Sequence, residues 1–281
     1  MSWRDVWPAV TAFASAGALT ACSMLLDTSA LMSSPPDAAA GDGGGEADAG
    51  AEAGASVYRD VVLADSPAAY FRLNEIAAPV RSEVGSFTGA AVGSPDFGVP
   101  GAIGGEADRA FAPAGRGGLD LGQVFDFVGT TPFSIELWTS VSAIDDAFRF
   151  FFAKSSGTGA AREAYGAYVI TGAEGQQLVF ERFVGGQSRI VVVPPPSLGT
   201  YHHLVTIFDG SALSVWMDGS QRGATPDTRP AGAKATALLV GTPTVDADLK
   251  PLLGSVDELA IYTHALSADR VMAHFRAGHP Q

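Results

Sequence analysis

The chain has 281 residues, with 17 Lys+Arg against 30 Asp+Glu and a formal net charge of −13. Such an acidic balance excludes nucleic-acid binding or membrane-surface binding through clustered Lys and Arg. A single Cys excludes a disulfide framework and a Cys-rich zinc site, and 17% charged residues with 34 Gly and 17 Pro suit short strands and turns rather than long helices.

Arg4 lies in a short polar start, and Val6 to Leu19 are mostly apolar or small. A transmembrane helix needs about 20 apolar residues. This shorter run, followed by small residues, has the pattern of a secretory signal peptide over residues 1–21. Its end, Leu19-Thr20-Ala21-Cys22, resembles the lipobox of bacterial lipoproteins. The resemblance implies cleavage after Ala21, a diacylglycerol thioether on Cys22 and acylation of the new amino terminus. Several acyl chains give stable anchoring, so the membrane is an expected partner through Cys22. The expected location is the cell envelope, at the outer membrane or cell surface, and Ser23 in place of Asp agrees with outer-membrane sorting.

Residues 22–56 comprise the lipidated Cys and an Ala/Gly/Asp-rich tether. Asp27, Asp37, Asp42, Glu46, Asp48 and Glu52 are its charges, with no base among them. Such a stretch cannot bury enough apolar area to offset its ordering entropy and is expected to be disordered. A flexible Gly-rich coil of this length spans about 30 Å, enough to hold a domain clear of a bilayer.

Residues 57–281 form the body, long enough for one β-sandwich. Phe133, Ile135, Leu137 and Thr139 alternate with Ser134, Glu136, Trp138 and Ser140, the period of a strand. Strands are also expected at Phe148–Ala153, Tyr165–Thr171, Gln177–Val184 and Arg189–Val193, ending at Pro194-Pro195-Pro196. From Tyr201 to about residue 224, Asp209-Gly210 and Asp218-Gly219 interrupt alternating runs, so an antiparallel meander with tight primed turns is expected. Leu252 to Tyr262 makes a late strand. Ser267 caps the one expected helix, Ser267–Ala277, which Gly278 and Pro280 end. Trp138 and Trp216 read as inward core residues of the sandwich.

Seven pieces in series carry a resemblance. They are Val62 to Glu75, Gly101-Ala102-Ile103, Arg109-Ala110-Phe111, Phe133 to Trp138, Tyr201 to Val205 with the Asp-Gly hairpins, Gly254 to Tyr262, and His264 to Ser267. Together they resemble the bacterial laminin G-like jelly roll, a branch of the concanavalin A-like lectin/glucanase superfamily. The resemblance implies an all-β, two-sheet antiparallel jelly-roll sandwich with one short C-terminal helix. It also implies an extracellular recognition module, although some superfamily relatives are glycosidases. Arg81 to Gly85 replace the family's usual acidic turn, and Tyr201 stands where Trp is common.

Glycoside hydrolysis needs two carboxylates facing one groove, about 5–5.5 Å apart in retaining enzymes. Asp145-Asp146 and Asp257-Glu258 are adjacent pairs, and on a regular strand adjacent residues face opposite sides. No catalytic residue is therefore assigned, and the chain is read as a non-enzyme. His202 and His203 also diverge, one of them as a packed core histidine. Glu75 and Asp257 close the first and last strand motifs. Such strands commonly pair antiparallel in this superfamily, which would bring both acids to one edge. Two carboxylates with turn carbonyls suit Ca²⁺, so a structural calcium is expected at Glu75 and Asp257. The plain alternative is a charged pair of edge residues, one of them bridged to Arg72 or Arg81. The expected function is an envelope-anchored, non-catalytic module binding carbohydrate or an extracellular protein. The alternatives are a glycoside hydrolase on the same fold and a structural envelope module with no small ligand.

Overall fold

The computed structural model describes residues 57–104, 107–242 and 250–279. The expected signal peptide, Cys22 and tether lie outside the described residues. Sixteen strands run in chain order: β1 (Ala69–Phe71), β2 (Val80–Arg81), β3 (Thr88–Gly93), β4 (Asp96–Pro100), β5 (Arg109–Ala112), β6 (Gly117–Asp120), β7 (Phe133–Val141), β8 (Arg149–Ser156), β9 (Glu163–Gly172), β10 (Gly175–Val184), β11 (Gln187–Val193), β12 (Tyr201–Phe208), β13 (Ala212–Met217), β14 (Ser220–Pro226), β15 (Leu239–Val240) and β16 (Gly254–Tyr262). A helix α1 occupies residues 57–64, and α2 spans Ala268–Gly278. Among the described residues no helix is long and apolar enough to cross a membrane.

The strands form two antiparallel sheets. The first has the order β14-β13-β12-β7-β16-β5-β4, with β1 also on β16; the second has the order β11-β10-β9-β8-β15-β6-β3-β2. The two-sheet sandwich implied by the sequence is therefore present. Alternation along β7 sends Phe133, Ile135 and Leu137 into the core between the sheets, where they join Phe151, Phe152, Tyr165, Phe180 and Ile261. Phe127 stacks on Phe133 with ring centroids 4.2 Å apart. Each such side chain contributes about 1.5–3 kcal/mol when fully buried.

The other face of β7 is buried too. Trp138 belongs with Tyr58, Val62, Tyr70, Val205, Tyr262 and Val271 in a second apolar cluster on the outer face of the first sheet. The inward reading of Trp138 is thus corrected: the ring is buried beneath α2, and Phe275 stacks on it at 6.2 Å. Trp216 packs against the same cluster, half-buried. One helix was expected, and two are found among the described residues. Residues 57–64 carry little helix signal in isolation, because three are Val, a β-branched residue of modest helix propensity. Tyr58 and Val62, one turn apart and fully buried, hold α1 to the sheet. Ser267 caps α2 as expected, accepting from the Arg270 N–H.

Of the two meander turns, Asp218-Gly219 is the primed type, with φ of 53° and 73°. The Asp209 turn is longer. There the Asp209 carboxylate accepts from the N–H groups of Ser211 and Ala212, and only Gly210 takes positive φ.

Candidate functional site

Three groups of polar side chains are set apart by the fold. The first centres on Glu136, in the middle of β7 and fully buried. Its carboxylate accepts from Tyr58 Oη at 2.9 Å, Tyr262 Oη at 2.8 Å, His203 Nε2 at 2.7 Å and His274 Nδ1 at 2.9 Å. The donors come from α1, β16, β12 and α2, so one carboxylate ties both helices to the sheet. His274 Nε2 lies 2.8 Å from Asp65 Oδ2. An imidazole donating from both nitrogens is the protonated form. Burial opposes charge on Glu136, yet His274 and His203 hold its carboxyl far below the ordinary value. Burial likewise opposes charge on His274, and Glu136 and Asp65 overcome it, raising its pKa. His203 is fully buried, as one of the two histidines was expected to be. The signal missed in the sequence was Glu136 itself, a lone acid between Ile135 and Leu137.

The second group follows from a bulge in β16. Asp257 faces Trp138 and Ala260 faces Glu136, so three steps on β16 oppose two on β7. Glu258 takes φ 51° in this bulge. The expectation that Asp257 and Glu258 face opposite sides fails for that reason. Both are fully buried, and carboxylate oxygens of Asp108, Asp257 and Glu258 lie within 4.8 Å of one another. Burial raises the pKa of Asp108 and Asp257 and pushes Glu258 up to about 7.

Glu75 is not one of the three. The strands β1 and β16 do pair antiparallel, Ala69 with Ile261 through Phe71 with Leu259. After Phe71 the chain turns at Leu73, φ 62°, and the Glu75 carboxylate accepts from the Arg81 N–H at 2.8 Å. Arg72 takes the place beside the acids, with Nε 3.1 Å from Glu258 and Nη2 3.9 Å from Asp108 Oδ1.

The donor set can be tested against calcium. Glu258 accepts from Arg72 and Tyr70, Asp257 from the N–H groups of Ala102 and Glu258, and Asp108 Oδ2 from Ile103. Five of six carboxylate oxygens are thus engaged, and the sixth, Asp108 Oδ1, faces the guanidinium. Calcium takes six to eight oxygens, and here a half-buried guanidinium already stands among the acids. The residues suit Arg72 as their counter-charge and do not fit a calcium shell.

The third group lies on the outer face of the second sheet. Directly opposed residues share a face, so Phe150, Tyr168, Val179 and Val192 lie together, with Glu181 and Ile190 beside them and Phe183 and Ser188 beyond. None of these apolar side chains belongs to either buried cluster. The Tyr168 ring is flanked by Phe150 at 4.9 Å and Phe148 at 5.2 Å. Arg162 lies over the Phe183 ring at 4.2 Å. Glu181 accepts from Ser188 Oγ at 2.5 Å, and burial pushes its pKa up to about 8. Phe150, Tyr168, Val179, Phe183, Glu181 and Arg162 are buried, Phe148 and Ile190 half-buried, and Val192 exposed.

The fold is shared with solved structures. Domain 4 of AbnA, a GH43 extracellular arabinanase from Geobacillus stearothermophilus, in complex with arabinotriose, superposes with TM-score 0.56 at 17% identity, covering 74% of this chain and 97% of that one. The botulinum neurotoxin serotype G binding domain gives 0.55 at 10% identity, over 75% of this chain and 50% of that one. The binding domain of botulinum neurotoxin DC in complex with SialylT gives 0.54 at 10% identity, over 77% and 52%. The chain thus spans about half the length of these toxin domains, and identities this low establish the fold alone. No curated protein matches the chain by sequence. A family model described as the concanavalin A-like lectin/glucanases superfamily matches residues 113–272, more than half of the chain. The chain belongs to that superfamily, in its laminin G-like family.

Proposed function

We propose that the domain is a glycan-binding module, held at the cell envelope by lipid on Cys22, that recognises sugar without cleaving glycosidic bonds. The observation that carries this reading is the unequal treatment of the two outer faces. The first is closed by α1 and α2 over its own apolar cluster. The second bears half-buried Phe148 and the largely covered rings of Phe150, Tyr168 and Phe183 around the Glu181 carboxyl, the Ser188 hydroxyl and the Arg162 guanidinium, a mixture of groups that recognises a sugar through stacking and hydrogen bonds. The arabinotriose and SialylT complexes of two structural neighbours support it by analogy of fold. The clustered acids argue against glycosidic cleavage, because Asp108, Asp257 and Glu258 are buried and bound to backbone N–H groups, Tyr70 and Arg72.

A glycan array probed with the protein should return retained oligosaccharides. Tyr168→Ala and Glu181→Gln should each weaken the best of them about tenfold, a loss near 1.4 kcal/mol. Retention of no glycan, or unchanged affinity in both variants, would refute the assignment to this face. For the anchor, Cys22→Ala should move the protein from the membrane fraction to the soluble fraction. Unchanged detergent partitioning, with no acyl mass on the amino-terminal peptide, would remove that part of the proposal.

A further inference from the structure

The segment between β11 and β12 brings three side chains into a row. Ser197 Oγ lies 2.7 Å from His202 Nε2, and His202 Nδ1 lies 2.7 Å from Asp218 Oδ2. We infer that Ser197, His202 and Asp218 form a second, catalytic site that hydrolyses small acyl esters of solvent-accessible alcohols.

The order of contacts is the one that nucleophilic serine chemistry requires. One imidazole nitrogen must take the hydroxyl proton while the other is held by a carboxylate, which fixes the tautomer and steadies the imidazolium. Each member is placed by the fold. Asp218 is fixed in the primed turn between β13 and β14, and its other oxygen accepts from the His203 N–H at 3.1 Å. Burial works against ionised Asp218, and the His202 hydrogen bond and charge overcome it, keeping its pKa below the ordinary value. His202 stands next to buried His203 on β12, its own side chain 18% exposed. Ser197 is exposed, so the attacking atom faces solvent while the base and its orienting acid are largely covered. Thr200 Oγ1 lies 2.9 Å from Ser197 Oγ, a second hydroxyl that helps to hold the nucleophile in place. Exposed Leu198 beside the nucleophile suits a short acyl group.

The reaction balances without a further reagent. Ser197 Oγ adds to the ester carbonyl carbon while its proton passes to His202 Nε2. The carbon–oxygen bond to the alcohol then breaks, and the alcohol leaves with that proton. The acyl group stays on Ser197. Water gives a proton to the same nitrogen, adds to the acyl carbon and releases the carboxylic acid, and Ser197 regains its hydrogen. An O-acylated glycan held by the neighbouring sheet is one member of the substrate class, but the triad does not depend on glycan binding.

The full chain should be treated with a fluorophosphonate probe and assayed with 4-nitrophenyl acetate. Phosphonylation at Ser197, read from the mass of its peptide, is expected. Hydrolysis should fall at least about 100-fold in S197A and in H202Q. S197A should keep the wild-type melting temperature and glycan retention, which separates this site from the binding face. Absence of label on Ser197, or wild-type hydrolysis by folded S197A, would reduce the row to a surface hydrogen-bond chain. Labelling of the wild type decides the matter even if a variant fails to fold.

Discussion

Glu136→Ala is expected to lower the melting temperature by about 10 °C and to loosen both helices. The substitution leaves two tyrosines and two histidines buried without their acceptor, and His274 loses one of its two counter-charges. Breaking a buried charge pair costs about 3–5 kcal/mol, and each kcal/mol is worth about 2–4 °C in a domain of this size. The same network sets a pH window. Glu136 has a lowered pKa, so its contribution is complete above the ordinary 4.5 and declines as pH falls below it. His274 has a raised pKa, so its contribution is complete below the ordinary 6.5 and declines as pH rises through the raised value. Docking of α2 should therefore be strongest between those values. The protection of residues 268–278 against amide exchange, relative to the unstructured chain at the same pH, should fall on alkaline titration, and His274→Asn should abolish that fall. A variant Glu136→Ala that melts with the wild type would show that apolar packing alone holds the helices.

Arg72→Met should cost about 3 kcal/mol, the lower end for a broken buried pair because the guanidinium side chain is 21% exposed. The variant leaves Asp108, Asp257 and Glu258 without their cation. Wild-type melting should be the same in millimolar CaCl₂ and in EDTA, whereas Arg72→Met should gain several degrees from calcium, as any ligand bound only by the folded state stabilises it. A calcium-dependent shift in the wild type would instead show that a metal binds to Asp108, Asp257 and Glu258 beside Arg72.

The fold was legible because its signals are periodic. Alternation from Phe133 to Val141, the Asp218-Gly219 pair and the Ser267 cap each report a local backbone preference and appear in the structure where expected, whereas Asp209-Gly210 turns the chain in a longer loop rather than a primed turn. The polar groupings were hidden for physical reasons. A regular strand would separate Asp257 from Glu258, and only the positive φ of Glu258 joins them. The antiparallel pairing of β1 and β16 was anticipated. The turn at Leu73, which takes Glu75 to the Arg81 N–H, has no sequence mark of its own. Trp138 looked inward because alternation shows that two faces differ without saying which one is the sandwich core. Glu136 had a visible signal, an acid amid apolar strand residues, that points to a buried partnered charge. Asp218 reaches His202 only through the return of β13 to β12, and Ser197 only through the path of the segment before β12.

The central claim, that sugar is recognised on the outer face of the second sheet, is tested most directly by hydrogen exchange with a retained oligosaccharide. The account predicts slower amide exchange in β8 through β11, residues 149–193, with β12 to β14 unchanged. Protection confined to the first sheet, or to the loop at 194–200, would contradict it.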